Sequence, residues 1–225
     1  KPKGKFGLRE GFAVTGFGWV LIVAFGALPL FLSGSTPSFT DAYFEIMSGF
    51  TTTGATVIGD VESLNRGILF WRSLTHWIGG MGIIVLSLAV FTLFGGGVSM
   101  FHAEVPSLLP EKIMPRLKQT AMVLWKIYTV ISLIQVITLK LAGLSFFDSL
   151  ICTFGSMGTG GFSSRNISVE AYHSVPIEMV LVFFMALAGI NFSLYYRAMQ
   201  KRSLKAITTD PEARGYFTIL IVATL

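Results

Sequence analysis

Charge is what this chain has least of. Asp, Glu, Lys and Arg make up 13% of its 225 residues, where a soluble globular chain carries about 25%. No such residue occurs between Glu10 and Asp41, and none between Arg72 and Glu104. Windows of that length exceed the roughly 20 residues needed to cross a bilayer. A soluble domain is therefore excluded and an integral membrane protein implied, in keeping with a mean hydropathy of +0.69. Cysteine is nearly absent. Cys152 stands alone, which excludes an internal disulfide framework, and its apolar neighbours mark it as a packing residue. There is no His/Cys cluster of the kind a transition metal needs. The apolar run after Arg9 is too long for a signal-peptide core and lacks a small-residue cleavage site, so a cleavable leader is a poor reading of this stretch.

Long and short apolar elements alternate along the chain. Residues 11–33, 68–94, 120–144 and 176–196 read as spans. Residues 38–50 and 145–157 are apolar but too short to cross, and suit re-entrant helices. Residues 95–118 form a loop with Gly95-Gly96-Gly97 and several prolines, which break helices. The fold class expected is an all-α integral membrane protein of repeated span–re-entrant pore helix–span units. Its parts are a cytoplasmic segment 1–10, a first repeat 11–94, a cytoplasmic loop 95–118, a second repeat 119–197, a cytoplasmic loop 198–214, and the truncated opening of a third repeat at 215–225.

The two short elements repeat one another at an offset of 107 positions. Ser38 falls on Ser145, Phe39 on Phe146, Asp41 on Asp148, Thr52 on Thr159 and Gly54 on Gly161. Ser38-x-x-Asp41 and Ser145-x-x-Asp148 match the capping-box pattern of a helix start. Each short helix then runs into a Thr/Gly turn, Thr52-Thr53-Gly54-Ala55-Thr56 and Thr159-Gly160-Gly161-Phe162-Ser163.

Basic residues give the orientation. Lys1, Lys3, Lys5 and Arg9, then Lys112, Arg116 and Lys118, then Arg197, Lys201, Arg202, Lys205 and Arg214 fall on one face if both short helices dip in and return. That face is the cytoplasm, with the N-terminus on it. A full crossing by residues 38–50 would abolish the asymmetry. The net charge of +5 is thus inside-positive bias and not a nucleic-acid signal. Outer carboxylates such as Asp41, Glu45, Asp60 and Glu62 can enrich cations at a pore mouth, or serve ordinary loop solvation.

With the caps on the outer side, the C-terminal ends of both short helices point to the membrane centre, and helix C-termini favour cations. A potassium filter replaces the hydration shell with carbonyl oxygens, and glycine supplies the backbone angles that aligned carbonyls need. The expected cation-binding residues are Thr52, Thr53, Gly54 and Ala55 with Thr159, Gly160, Gly161 and Phe162. Potassium is the cargo; no cofactor is expected and no other metal. If the turns share a pore axis, Gly54 and Gly161 must approach each other. Arg72 is placed to form a structural ion pair with Glu45, and His76 reads as a hydrogen-bonded packing residue. Gly158–Gly161 is followed by no Lys-[Ser/Thr], which excludes a phosphate loop. An enzyme is not expected, since no span holds a paired nucleophile and base.

Residues 44–57 (F-E-I-M-S-G-F-T-T-T-G-A-T-V) and 70–84 (F-W-R-S-L-T-H-W-I-G-G-M-G-I-I) resemble the first pore repeat of bacterial Trk-type potassium uptake proteins of the TrkH kind. Residues 157–166 and 189–196 resemble the second. The resemblance implies four linked span–pore–span repeats around one pore, a homodimer in the bacterial inner membrane, and a TrkA-like cytoplasmic ring of nucleotide-binding regulatory subunits as partner. The chain carries two such repeats and the first stretch of a third, so it is expected to be a fragment without the gating loop that the third repeat holds in this family. The alternative is a secondary transporter coupling potassium to sodium or protons through broken helices. Repeats there are often inverted, whereas both repeats here begin on the basic side.

Overall fold

The computed structural model describes residues 8–93, 113–203 and 205–224. Among these every regular element is helical: α1 (Leu8–Leu32), α2 (Phe39–Phe50), α3 (Arg66–Leu93), α4 (Ile113–Leu141), α5 (Phe146–Met157), a 3-10 turn (Ser168–Tyr172), α6 (Val175–Ala188), α7 (Phe192–Lys201), α8 (Lys205–Thr208) and α9 (Pro211–Thr224). The windows Thr15–Leu32 and Gln119–Leu141 are long and apolar enough to cross a bilayer. α3, 28 residues long, coincides with the second expected span. Phe17, Leu21 and Phe25 on α1 and Leu133, Ile137 and Leu141 on α4 are exposed, as lipid-facing residues are. Residues 1–7 of the expected N-terminal segment 1–10, residue 94 of the first repeat, and residues 95–112 of the expected loop 95–118, with its three glycines, lie outside the described residues.

α2 lies between α1 and α3. Val23, Ala27 and Leu30 of α1 close on Ala42, Ile46 and Phe50 of α2. α5 packs against α3, α4 and α6, and Cys152 sits in a cluster with Leu139, Leu144, Ile177 and Leu181. Between helices in lipid the hydrophobic drive is gone, and close packing with internal hydrogen bonds takes its place. The chain follows that rule. A Cβ on Gly79 would strike the carbonyl of Phe50, and one on Gly80 would meet Gly158. Trp71 Nε1 donates to the Gly26 carbonyl at 2.8 Å, Trp77 Nε1 to Ser132 Oγ at 2.9 Å, and Gln135 Nε2 to Ser156 Oγ at 2.6 Å.

Three expected boundaries are corrected. The stretch 176–196, expected as one span, is broken into α6 and α7, which meet at 81°. The break at Gly189-Ile190-Asn191 is held by Tyr195 donating to the Leu187 carbonyl at 2.7 Å and Tyr216 to the Ala186 carbonyl at 3.2 Å. Asn191 then caps α7 through the Ser193 N–H. Tolerating a break at membrane depth requires that such freed groups be re-satisfied. Residues 113–118, expected in a loop, begin α4, because Pro115 falls in the first turn, where a missing N–H has no helical acceptor to lose. Residues 198–214, expected as loop, hold the end of α7, α8 and the start of α9, with Pro211 as its first residue.

Candidate functional site: two turns after the short helices

Both short helices are 12 residues long and start alike. The Ser38 hydroxyl accepts from the Asp41 N–H at 3.1 Å and donates to Asp41 Oδ2 at 2.7 Å. Ser145 and Asp148 repeat both bonds at the same distances. One orphan N–H is thereby satisfied, and a carboxylate sits at the positive end of each helix.

They also end alike. After α2, the N–H groups of Thr51, Thr52 and Thr53 donate to the carbonyls of Met47, Gly49 and Ser48 at 2.8, 3.0 and 2.9 Å. After α5, Gly158, Thr159 and Gly160 donate to Phe154, Ser156 and Gly155 at 3.1, 3.0 and 3.1 Å. In each case the last two bonds are the crossed pair of a Schellman motif. That motif needs one left-handed residue, usually glycine. Here threonine fills it twice, Thr52 at φ 55° and Thr159 at φ 56°. A β-branched residue in this region is an outlier, and such strain persists where surrounding structure imposes it, often at functional sites. Two residues on, Gly54 at φ 78° and Gly161 at φ 86° turn the backbone again.

The two turns meet. A Cβ built on Gly54 would run into the Gly160 carbonyl, while one on Gly161 would find open space. The first turn thus lies against the backbone of the second, one residue from the equivalent glycine. Thr51, Thr53, Ala55, Thr159 and Gly161 are exposed. Phe162 is buried, and its carbonyl lies against Gly155 of α5, where an added Cβ would strike it. Among the described residues no group of three His, Cys, Asp or Glu side chains comes together. The oxygen donors on offer are backbone carbonyls and threonine hydroxyls.

Charged and aromatic groups buttress the turns from behind. Arg72 and Glu45 form a buried ion pair, Nε to Oε1. Glu45 also accepts from the Thr56 hydroxyl at 2.9 Å and the Val57 N–H at 3.0 Å. Arg72 Nη1 donates to the Ser163 carbonyl at 3.3 Å, and the guanidinium carbon lies 3.5 Å from the centroid of the Phe162 ring, a cation–π contact. His76, one turn along α3, stacks on the same ring at 3.9 Å and accepts from the Phe162 N–H through Nδ1 at 3.4 Å. Asp148 Oδ1 accepts from the Ser164 hydroxyl at 2.7 Å.

Further out, the loops leaving the turns are tied together. Asn166 Oδ1 accepts from the Val61 N–H at 2.8 Å, and its Nδ2 donates to Asp60 Oδ1 at 2.8 Å. The Asn166 amide holds the exposed Asp60 carboxyl below its usual value; slight desolvation pushes the other way, and bonds from Glu62 and Ser63 assist the amide.

The TrkH family model, described as "Cation transport protein", matches residues 1–222. The chain belongs to the TrkH family. It is 38% identical to the Trk system potassium uptake protein TrkH of Escherichia coli (strain K12) over all of its length and 48% of the relative's. It is 39% identical to the protein of the same name from Halomonas elongata, covering 96% of this chain and 45% of the relative. The crystal structure of the potassium transporter TrkH from Vibrio parahaemolyticus superposes with a TM-score of 0.84 at 32% identity, over 99% of this chain and 45% of that one. The chain spans about half the length of the curated relatives it matches. It is an all-helical membrane protein of the TrkH pore-repeat architecture.

Proposed function

We propose that this TrkH-family chain contributes two of four filter segments to a potassium uptake pore. In this reading the carbonyls of Thr52, Thr53 and Gly54, with those of Thr159, Gly160 and Gly161, replace the hydration shell of potassium. The observation that carries it is the duplicated turn: the same hydrogen bonds and the same two left-handed residues recur at one offset, and the turns lie against each other. The α2 and α5 C-termini direct their partial negative charge toward that meeting point. Relatives named as potassium uptake proteins support the choice of ion. The same reading puts the chain in the bacterial inner membrane with its N-terminus inside, as a homodimer with a TrkA-like cytoplasmic nucleotide-binding ring, acting as a transporter and not as an enzyme.

The α6–α7 break favours, as a second reading, ion-coupled transport through broken helices. Against it stands the common direction of the two repeats, which suits a channel-like pore.

The test is Gly54→Ser in the protein expressed from its native gene, in cells lacking their own potassium uptake. Initial potassium uptake should lose its advantage over sodium. Unchanged selectivity at an unchanged protein level would count decisively against the filter assignment.

A further inference from the structure

Glu45 and Arg72 reach the two turns at equivalent places. Glu45 holds Thr56 and Val57 on the outgoing limb of the first turn. Arg72 holds the Ser163 carbonyl and the Phe162 ring on the outgoing limb of the second. At the offset of 107, Thr56 and Ser163 are the same position. The ion pair between the two side chains therefore links the limbs into one clasp, running from turn to carboxylate to guanidinium to turn.

We propose that this clasp fixes the separation of the two turns, and that Arg72 is thereby a positioning residue for cation selectivity. The proposal rests on the filter reading of the turns. A buried ion pair is weak evidence for stability, because packed apolar side chains of similar volume often serve as well. At 2% and 0% side-chain exposure, this one needs another reason to exist. Its remaining bonds end on the turns and not on other helices, which supplies that reason. The clasp also has no copy in the second repeat. The residue equivalent to Glu45 is Cys152, whose sulfur meets the Tyr172 hydroxyl at 3.5 Å instead of the turn. One clasp therefore serves a pair of turns, as a device between them must. The planar guanidinium holds the carboxylate and the carbonyl at a fixed spacing; a lysine ammonium on its flexible stem can bond both without fixing that spacing.

The test compares Arg72→Lys and the double variant Glu45→Met with Arg72→Met, both expressed from the native gene. Protein in the membrane and initial potassium uptake against competing sodium are measured together. The double variant removes both buried charges and leaves neither unpaired, so a pair with no hold on the turns predicts normal amounts and unchanged selectivity. The clasp predicts normal amounts with a potassium-to-sodium ratio lower by about tenfold, in the double variant and in Arg72→Lys alike. If Arg72→Lys accumulates poorly, the double variant decides alone. An unchanged ratio there overturns the proposal, and so does loss of protein in both variants, which marks a pair that supports only the fold. Gly54→Ser run in parallel separates the two readings. If it lowers the ratio while the double variant does not, the filter stands and the clasp falls. If it too leaves the ratio unchanged, both fall.

Discussion

The turn after α2 and the turn after α5 follow one backbone path and are held by different chemistry. The path is set locally by the crossed hydrogen bonds and by left-handed residues at Thr52 and Gly54 or Thr159 and Gly161. Support of the first turn comes from its own short helix, through Glu45. The second turn has its own Asp148, but also leans on Arg72 and His76, which belong to α3 of the preceding repeat. What duplicates is thus the arrangement of carbonyls. What diverges is the buttress, where any group that fills the space and bonds the limb will serve. α3 has become a shared wall, and the second turn depends on a repeat other than its own.

The sharpest way to break this comparison is to place a methyl group on each glycine. Both Gly54 and Gly161 are left-handed, so Ala in either strains the backbone by about 1–2 kcal/mol. Only at Gly54 does the new Cβ also strike the Gly160 carbonyl. Gly54→Ala should lower potassium uptake by about a hundredfold, since displacing a bonding atom by about 1 Å can cost that much. Gly161→Ala should cost far less. Equal uptake in the two variants would mean that the working protein does not hold Gly54 against Gly160.

A second measurement asks whether the threonine strain is matched between the turns. Thr52→Gly and Thr159→Gly each relieve a left-handed β-branched residue, worth about 1 kcal/mol after glycine's entropic cost. Each should raise the unfolding midpoint of purified protein by about 2 °C while making the carbonyl array less rigid and less selective. A lower midpoint in either would show that its threonine side chain contributes more than its backbone loses.

Much of this was legible in the sequence where the signal is local. Ser38 and Asp41, like Ser145 and Asp148, mark helix starts because the bonds they make span three residues. The glycines at 54 and 161 mark turns because few other residues enter the left-handed region cheaply. Arg72 could be matched to Glu45 because a charge inside a span demands a partner and the adjacent short helix offers an acid. The left-handed threonines were not legible, since threonine there runs against local preference and is imposed by the turns as a whole. The break after Ala188 had a local signal in Gly189 and Asn191, which cap the two helices, but nothing local showed that the Tyr216 hydroxyl of a separate helix would satisfy a carbonyl freed there. The seat of His76 and Arg72 on Phe162 required knowing that α3 of one repeat touches the turn of the next.

The smallest effects test whether the helix starts are as equal as they look. Ser38→Ala and Ser145→Ala each remove one hydroxyl that accepts at 3.1 Å and donates at 2.7 Å, with the same partners in the same geometry. Loss of such a cap costs about 1 kcal/mol, and the two losses should agree to within about 0.5 kcal/mol. One difference bears on that expectation. Asp148 keeps a second bond, from the Ser164 hydroxyl at 2.7 Å, which ties the start of α5 to the limb of its turn. Ser145→Ala frees one oxygen of Asp148 and leaves the other engaged, so α5 should retain its start better than α2 under the same change. Thermal unfolding of the two variants measures it: a smaller drop for Ser145→Ala supports unequal buttressing, and a larger one would place the firmer start in α2.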